Sequence, residues 1–189
     1  MQKIDIPCVI FAGGKSSRMG KDKATLFFKN QTLIEYQYKR LKKIFQKVYI
    51  STKYKKFDFE APLIVDNSEI FAPIVAFENI FKKFDTFFAI SVDTPFIDEE
   101  IIKKLIDSYQ KNKNAHAVIA KTDFEHPLIG IYQNSIFENI KKNIEDKNFK
   151  LRYILKISNT VFVEFKDSKK FFNINYPDDY KIAIKLSFD

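Results

Sequence analysis

Residues 4–20 read IDIPCVIFAGGKSSRMG, an apolar run rich in branched side chains that leads directly into a glycine loop. A continuous apolar run of this kind is typical of a strand buried on both faces of a parallel sheet, which we place at Ile4 to Phe11. The loop holds the adjacent pair Gly13 and Gly14, in a chain with only 4 glycines. Glycine allows backbone N–H groups to approach phosphate oxygens closely. The stretch therefore predicts a strand followed by a phosphate-binding loop, and the alternative is a plain strand-to-helix connection.

The rest of the chain alternates between strand and helix patterns. Apolar residues at helical spacing predict helices at 33–44, 74–84, 101–109, 135–144 and 177–186, with Asp98 capping the third. Short apolar runs predict further strands at 48–51, 62–65, 87–92, 117–120, 128–132 and 161–165. This alternation predicts an α/β, Rossmann-like fold with a mostly parallel sheet and helices on both faces. No repeat or linker interrupts it, so we predict one domain over residues 1–189.

The composition excludes several classes of protein. Of the 189 residues, 46% are hydrophobic and 30% are charged, which is typical of a globular chain and not of a disordered one. No apolar run approaches the roughly 18 residues that a membrane span needs, and the N-terminal apolar segment is too short for a signal peptide. The single cysteine, Cys8, cannot form an intramolecular disulfide. We therefore predict a cytoplasmic protein with no membrane partner.

The net charge of +8 is an ambiguous signal for nucleic acid. Only three of the 32 basic residues are arginines, at positions 18, 40 and 152. Surfaces that read bases or hold phosphates with two hydrogen bonds favour arginine over lysine. The chain is also rich in Ile, Phe and Asn, so the lysines fit a general skew in amino-acid usage. We predict that nucleic acid is not a partner.

Polar side chains follow the predicted strands at the edge of the sheet where ligands bind in α/β folds, the carboxyl end. They are Lys15, Arg18, Lys23, Ser51, Asp66 and Asp93. A basic loop beside carboxylates is what a nucleotide–metal site requires. A carboxylate at the end of a central strand is costly to desolvate, and Mg²⁺ beside phosphates is a common compensation. Asp93 is accordingly predicted as a metal ligand, and the alternative is a turn residue before Thr94 and Pro95.

Two common nucleotide-binding motifs are absent from the loop. Gly14, Lys15 and Ser16 resemble the end of a P-loop, but Val9 occupies the position where that motif needs its first glycine. The G-x-G-x-x-G pattern of dinucleotide-binding folds does not occur either.

Residues 11–23, FAGGKSSRMGKDK, resemble the signature L-A-G-G-x-S-x-R-M-G-x-D-K of nucleotidyltransferases with a GT-A-like fold, the nucleotide-diphospho-sugar transferase type. Four further stretches extend the resemblance over nearly the whole chain: LIVD at 63–66, DTPFI at 93–97, HPL at 126–128 and FNINYPDD at 172–179. These spaced elements are similar to those of the molybdenum cofactor guanylyltransferases, the MobA family.

The resemblance implies a reaction and a set of site residues. The reaction is transfer of GMP from GTP to the terminal phosphate of molybdopterin-bound molybdenum cofactor, with pyrophosphate as the second product and Mg²⁺ as cofactor. The implied catalytic residues are Arg18, Lys23 and Asp93, with Asp93 as the metal ligand. The implied nucleotide-binding residues are Phe11, Ala12, Gly13, Gly14, Lys23, Ser51, Asp66 and Asp93. The implied pterin-side residues are His126, Asn173 and Asn175. We expect a monomer, with cofactor-accepting apo-enzymes or their chaperones as partners.

The chain departs from the family pattern beside the expected base site. Ala72 and Ala76 occupy positions where the family has the glycines of G-P-L-x-G, and Ser51 stands where asparagine is common. The added methyl groups leave the base preference open, because they lie where backbone and ligand come close. The alternatives are a related nucleotidyltransferase that uses CTP or another phosphate acceptor, and a non-catalytic nucleotide- or cofactor-binding protein. For His126, a local hydrogen bond in a loop is the alternative to a role at the pterin.

Overall fold

The computed structural model describes residues 2–14 and 19–186. The strands and helices in these ranges are, in chain order, β1 (Cys8–Phe11), β2 (Phe27–Phe28), β3 (Gln31–Thr32), α1 (Leu33–Ile44), β4 (Val48–Thr52), β5 (Leu63–Val65), α2 (Pro73–Phe81), β6 (Thr86–Ser91), α3 (Glu99–Lys111), β7 (Ala117–Lys121), β8 (Glu125–Gln133), α4 (Phe137–Glu145), α5 (Leu151–Ile157), β9 (Thr160–Glu164) and α6 (Pro177–Leu186). Short 3-10 helices lie at Lys23–Thr25, Asn134–Ile136 and Ser168–Phe171. Among the described helices, none is long and apolar enough to cross a membrane.

A seven-stranded sheet has the order β5-β4-β1-β6-β8-β7-β9, and β2 and β3 form a separate hairpin. β5, β4, β1 and β6 run parallel to one another, as do β7 and β9, whereas β8 is antiparallel to both of its neighbours. The predicted α/β fold with a mostly parallel sheet is confirmed. Since β1 and β6 are adjacent and parallel, their carboxyl ends open side by side at one edge of the sheet.

The sheet is covered by helices on both faces, as predicted. In β1, Cys8 and Ile10 pack into one core with α1, α3 and α6, while Val9 and Phe11 pack into a second core with α2, α4 and α5. This alternation follows from strand geometry, in which successive side chains point to opposite faces. Each fully buried Val, Leu, Ile or Phe contributes about 1.5–3 kcal/mol relative to its exposed state. Both faces of β1, the strand that leads into the glycine loop, are therefore anchored in the core.

The helix starts follow local capping signals. Asp98 caps α3 as predicted, since its Oδ1 accepts a hydrogen bond from the backbone N–H of Ile101 at 3.0 Å. Helix α2 begins instead with Pro73 at its first turn and has no side-chain cap at Ala72. Proline fits there because it lacks the N–H that would be unpaired at a helix start.

Several predicted boundaries are wrong by a few residues. The first strand begins at Cys8 rather than Ile4, because Pro7 has no N–H to donate and Ile4 forms only an isolated bridge with Phe45. Helix α2 ends at Phe81 rather than at position 84. The predictions also omitted α5 and the β2–β3 hairpin. The hairpin turn has positive φ at Lys29 (46°) and Asn30 (61°), the pattern of a two-residue type I′ turn that asparagine tolerates.

β8 contains an irregularity that shapes the edge of the sheet. Its register against β7 shifts between the pairs Ile119–Gly130 and Ala120–His126, which leaves residues 127–129 outside regular pairing with that strand. The buried hydroxyl of Tyr132 donates a hydrogen bond to the carbonyl oxygen of Pro127 at 2.5 Å. Burial raises the pKa of Tyr132, so this hydroxyl remains a donor at physiological pH. The bulge thereby presents residues 126–128 at the side of the sheet where β6 ends.

Candidate active site

A cavity of about 380 Å³ lies at the carboxyl ends of β1 and β6. The predicted site residues that line it are Phe11, Ala12, Gly13, Gly14, Lys23, Asp93 and Asn175. They come from four separate parts of the chain: the end of β1 with its loop, the 3-10 helix at Lys23–Thr25, the segment after β6, and the segment before α6. The fold thus brings together residues that are up to 164 positions apart, counting from 11 to 175.

Lys23 joins three of these segments through its ammonium group. Its Nζ donates to Asp93 Oδ2 at 3.0 Å and to Asn175 Oδ1 at 2.7 Å. The other carboxylate oxygen of Asp93, Oδ1, accepts a hydrogen bond from Ser91 Oγ at 2.6 Å. The side chains of Lys23 and Asp93 are only 16% and 18% exposed, so their ion pair is largely screened from water. A cation and a carboxylate in this position can bind a phosphate group and a metal ion, respectively.

The position of Lys23 follows from the residues around it. Asp22 caps the 3-10 helix, accepting a hydrogen bond at Oδ1 from the backbone N–H of Ala24 at 3.0 Å, and Ala24 is fully buried. Lys56 pairs with the other oxygen of Asp22 and also donates to the carbonyl of Ala12 at 3.4 Å. Lys56 therefore ties the start of this 3-10 helix to the residue that follows β1.

A second cavity of about 480 Å³ adjoins the first and shares Pro73, Ser91, Asp93 and Leu128 with it. The predicted pterin-side residues His126 and Asn173 line this second cavity, whereas Asn175 lines the first. Asp93 consequently stands between two spaces, one on the side of the glycine loop and one on the side of the β8 bulge.

His126 is held by local contacts. Its ring stacks on Phe171 at a centroid distance of 4.6 Å, and its Nε2 lies 2.8 Å from Thr122 Oγ1. Burial, together with the positive charge of Arg152, lowers the pKa of His126 to about 4. The imidazole is therefore neutral at physiological pH. The local hydrogen bond expected in the alternative interpretation is present, and the ring also lines the second cavity.

This lowered pKa predicts a pH dependence of stability. In the unfolded chain His126 titrates near 6.5, so between pH 6.5 and 4 the unfolded state binds a proton that the folded state does not. The free energy of unfolding should therefore fall as the pH decreases through this window. His126→Phe keeps an aromatic ring but removes the titration. We expect the variant to lose about 2 kcal/mol less than the wild type between pH 7 and pH 4.5 in urea unfolding. If the free energy of unfolding fell equally with pH in the two proteins, the lowered pKa of His126 would be contradicted.

Ser51 and Asp66 lie together at a third, very small space. It has a volume of about 10 Å³ and is lined by Phe11, Gly13, Ser51, Thr52, Lys53, Asp66, Ala72, Pro73 and Ala76. This volume corresponds to about one water molecule. The methyl groups of Ala72 and Ala76 border it, as the comparison with the family pattern suggested. A nucleotide base would have to displace side chains to enter.

An ion pair that the sequence analysis did not identify closes this space. Lys53 Nζ lies 2.5 Å from Asp66 Oδ2 and donates to the carbonyl oxygens of Ser68 (2.6 Å) and Ile70 (2.7 Å). The second oxygen of Asp66 accepts a hydrogen bond from the backbone N–H of Ser68 at 2.9 Å. Lys53 and Asp66 thus fix the segment that leads into α2. Nothing in the sequence distinguishes Lys53 from the other lysines before the fold is known.

Arg18, with Lys15, Ser16 and Ser17, lies outside the described residues, so its predicted catalytic role stays a prediction.

In the described ranges no cluster of three or more His, Cys, Asp or Glu side chains could hold a metal ion. Mg²⁺ is commonly held by one or two carboxylates together with substrate phosphates and water. The carboxylate of Asp93, which lines both cavities, fits a metal ion that binds with a nucleotide.

The family model and the sequence relatives identify one family. Residues 8–161 match the MobA-like NTP transferase domain. A molybdenum cofactor guanylyltransferase from Campylobacter jejuni is 37% identical over 186 residues, covering 96% of both chains. One from Helicobacter pylori is 35% identical over 192 residues, covering 96% of this chain and 93% of the relative. The crystal structure of molybdopterin-guanine dinucleotide biosynthesis protein A from Archaeoglobus fulgidus has the same fold, with a TM-score of 0.84 at 23% identity over 96% of this chain and 98% of that one.

Proposed function

The chain belongs to the MobA-like NTP transferase family, and we propose that it transfers GMP from GTP to the terminal phosphate of molybdopterin-bound molybdenum cofactor. The products are the guanine dinucleotide form of the cofactor and pyrophosphate. Relatives that carry this activity in their names align with 96% of the chain. The observation that carries the proposal is the Lys23 ammonium, which bridges Asp93 and Asn175 in the lining of the cavity beside the glycine loop.

The two adjoining cavities suggest where each substrate binds. We assign the cavity beside Gly13 and Gly14 to the triphosphate, since backbone N–H groups of a glycine loop are suited to phosphate oxygens. We assign the cavity beside His126 and Asn173 to the pterin. The two substrates would then meet at Asp93, which lines both spaces.

The chemistry needs positioning and charge neutralisation rather than a side-chain nucleophile. An oxygen of the pterin phosphate forms a bond to the α-phosphorus of GTP, and the bond from that phosphorus to the bridging oxygen of pyrophosphate breaks. The attacking phosphate is already anionic at neutral pH, so no side chain has to remove a proton. Lys23 would contact the triphosphate and stabilise the charge that develops in the transition state. Arg18, which belongs to the same signature segment of the sequence, is proposed for the same task.

Asp93 is the residue proposed to hold Mg²⁺. When bound, the metal ion would neutralise phosphate charge and orient the oxygens of the triphosphate. Lys23 would move from the carboxylate of Asp93 toward the phosphates as the nucleotide binds. Ser91 would continue to hold the other carboxylate oxygen, which keeps Asp93 oriented during this exchange.

The base is proposed to bind at Ser51 and Asp66. Both lie beside Phe11 and Gly13, so this space is continuous with the residues around the triphosphate cavity. Entry of guanine would require the ion pair between Lys53 and Asp66 to move aside, because the present space is close to one water in volume.

Competition between nucleotides tests this assignment. Pyrophosphate release should be measured with molybdopterin-bound cofactor and either GTP or CTP, at equal concentrations and with excess Mg²⁺. We expect turnover with GTP and at least about 10-fold lower kcat/KM with CTP, since a pocket that pairs with polar groups rejects a base that leaves them unpaired. Turnover with CTP alone would overturn the guanine assignment and favour the cytidylyl alternative. Binding of both nucleotides without turnover would favour the non-catalytic alternative.

A further inference from the structure

Gln37 is a fully buried amide on α1, on the face of the helix that packs against the sheet. Its Nε2 lies within hydrogen-bond distance of three backbone carbonyl oxygens: those of Ser91 (3.3 Å), Val92 (3.4 Å) and Thr94 (3.1 Å). An amide nitrogen has two N–H groups, so the three carbonyls share two donors. All three belong to the segment that leaves β6 and carries Asp93.

Arg40, one helical turn further along α1, fixes the orientation of this amide. Its guanidinium donates to Gln37 Oε1 at 2.5 Å and also to the carbonyl oxygen of Ile97. A guanidinium has no acceptor, so the oxygen of the Gln37 amide must face Arg40 and the NH₂ group must face the segment after β6. The two side chains together hold that segment from Ser91 to Ile97.

The carbonyls that Gln37 holds flank Asp93 on both sides. The carbonyl of Asp93 itself accepts a hydrogen bond from the backbone N–H of Ile174 at 3.0 Å. The backbone at 91–94 is therefore tied to α1 on one side and to the segment that carries Asn173 and Asn175 on the other. The carboxylate of Asp93 is left facing the cavities. A shift of this backbone would move the carboxylate by a similar amount.

We propose that Gln37 is a positioning residue for Asp93, acting through the backbone of residues 91–94. The proposal rests on the proposed function, because it takes Asp93 as the residue that holds the metal ion of a metal–nucleotide complex. Outer residues that orient a metal ligand affect metal affinity or activity by about 10–100-fold. Removing the donors of Gln37 should therefore weaken the contribution of the metal ion to nucleotide binding, beyond any general loss of stability.

The test compares nucleotide affinity with and without metal. The variant is Gln37→Met, which keeps the length of the side chain and loses both donors. The ligand is the GTP analogue with a methylene group between the α- and β-phosphorus, which cannot undergo transfer. Its Kd is measured by calorimetry in excess Mg²⁺ and in EDTA. We define the Kd ratio as the Kd in EDTA divided by the Kd in Mg²⁺. We expect this ratio to fall by about 10-fold in Gln37→Met, while the Kd in EDTA stays within about 2-fold of the wild-type value.

Asn143→Leu provides a matched control. Asn143 is also a buried helical amide, and its Nδ2 donates to the carbonyl of Asn139 at 2.8 Å, but it lines neither cavity. This control should lower the melting temperature and leave the Kd ratio unchanged. If Gln37→Met does not fold, Gln37→Glu replaces it at pH 8, because a carboxylate can pair with Arg40 yet cannot donate to the carbonyls.

The outcomes separate this proposal from the proposed function. A wild-type Kd ratio in a folded Gln37 variant, with only the melting temperature lowered, would show an ordinary structural role and overturn the positioning role. A wild-type protein whose Kd is the same in Mg²⁺ and in EDTA would overturn the metal role of Asp93 itself, and the positioning role with it.

Discussion

Lys23→Met should lower kcat/KM for guanylyl transfer by about 10²–10³-fold, with the chain remaining folded. Lys23 lines the cavity, and in the proposed reaction its ammonium contacts the triphosphate in the transition state. Removing one such preorganised contact typically lowers the rate by about this factor, because the low exposure of the site strengthens the electrostatic effect of the contact. Methionine retains the apolar stem and preserves the packing around it. The measurement is steady-state pyrophosphate release, with near-ultraviolet circular dichroism to verify the fold.

Lys21→Met is the control for this prediction. Lys21 belongs to the same signature segment, but its side chain is exposed and lines neither cavity. Its replacement changes the net charge equally, so it separates the contact made by Lys23 from the general attraction of anions to a chain of net charge +8. We expect activity within about 2-fold of the wild type for Lys21→Met, since screening limits the effect of one exposed charge. Equal losses in both variants would contradict a specific role of Lys23.

Gly130→Ala should destabilise the protein by about 3 kcal/mol. A Cβ at position 130 would lie 2.2 Å from the carbonyl oxygen of Val118 and 2.9 Å from the Cα of Ile119, both backbone atoms of the neighbouring strand β7. Neither atom can move without disturbing the pairing of β7 with β8. For a chain of this size, 3 kcal/mol corresponds to a fall in melting temperature of roughly 6–12 °C. The free energy of unfolding should be measured by urea titration.

Gly14→Ala is the matched stability control, because no described atom beyond its chain neighbours lies within 4 Å of the Cβ it would add. We expect a change in the free energy of unfolding of at most about 0.5 kcal/mol, as for most exposed substitutions. A Gly130→Ala variant as stable as the wild type would mean that β7 and β8 do not approach as closely as described.

Most of the fold could be predicted from the sequence because its apolar runs are long and because turn and capping residues mark their ends. The strand ending at Phe11, the helix after Asp98 and the strand leading to Asp93 were each identified from local pattern and capping chemistry. Their parallel order then placed Lys23 and Asp93 at one edge of the sheet. Helix α5 could not be predicted because its seven residues, LRYILKI, are too few to establish a helical period.

Parts of the site could not be derived in the same way. The sequence holds 29 lysines, obtained as 32 basic residues minus three arginines, and only the fold shows that Lys53 pairs with Asp66 and Lys56 with Asp22. Asn175 was identified through the family resemblance, since no local pattern connects it with Lys23, which lies 152 positions earlier. Gln37 was not identified at all, because a single polar residue on a helix gives no sign of the backbone that it will contact.

In guanylyl transfer the α-phosphate of GTP, with its nucleoside, moves to the pterin phosphate at this site. The most direct measurement uses GTP labelled with radioactive phosphorus at either the α or the γ position, incubated with the wild-type protein, Mg²⁺ and molybdopterin-bound molybdenum cofactor. We predict that the α label appears in the pterin dinucleotide and the γ label appears only in pyrophosphate. Absence of the α label from the pterin product, or release of the γ label as inorganic phosphate, would contradict guanylyl transfer.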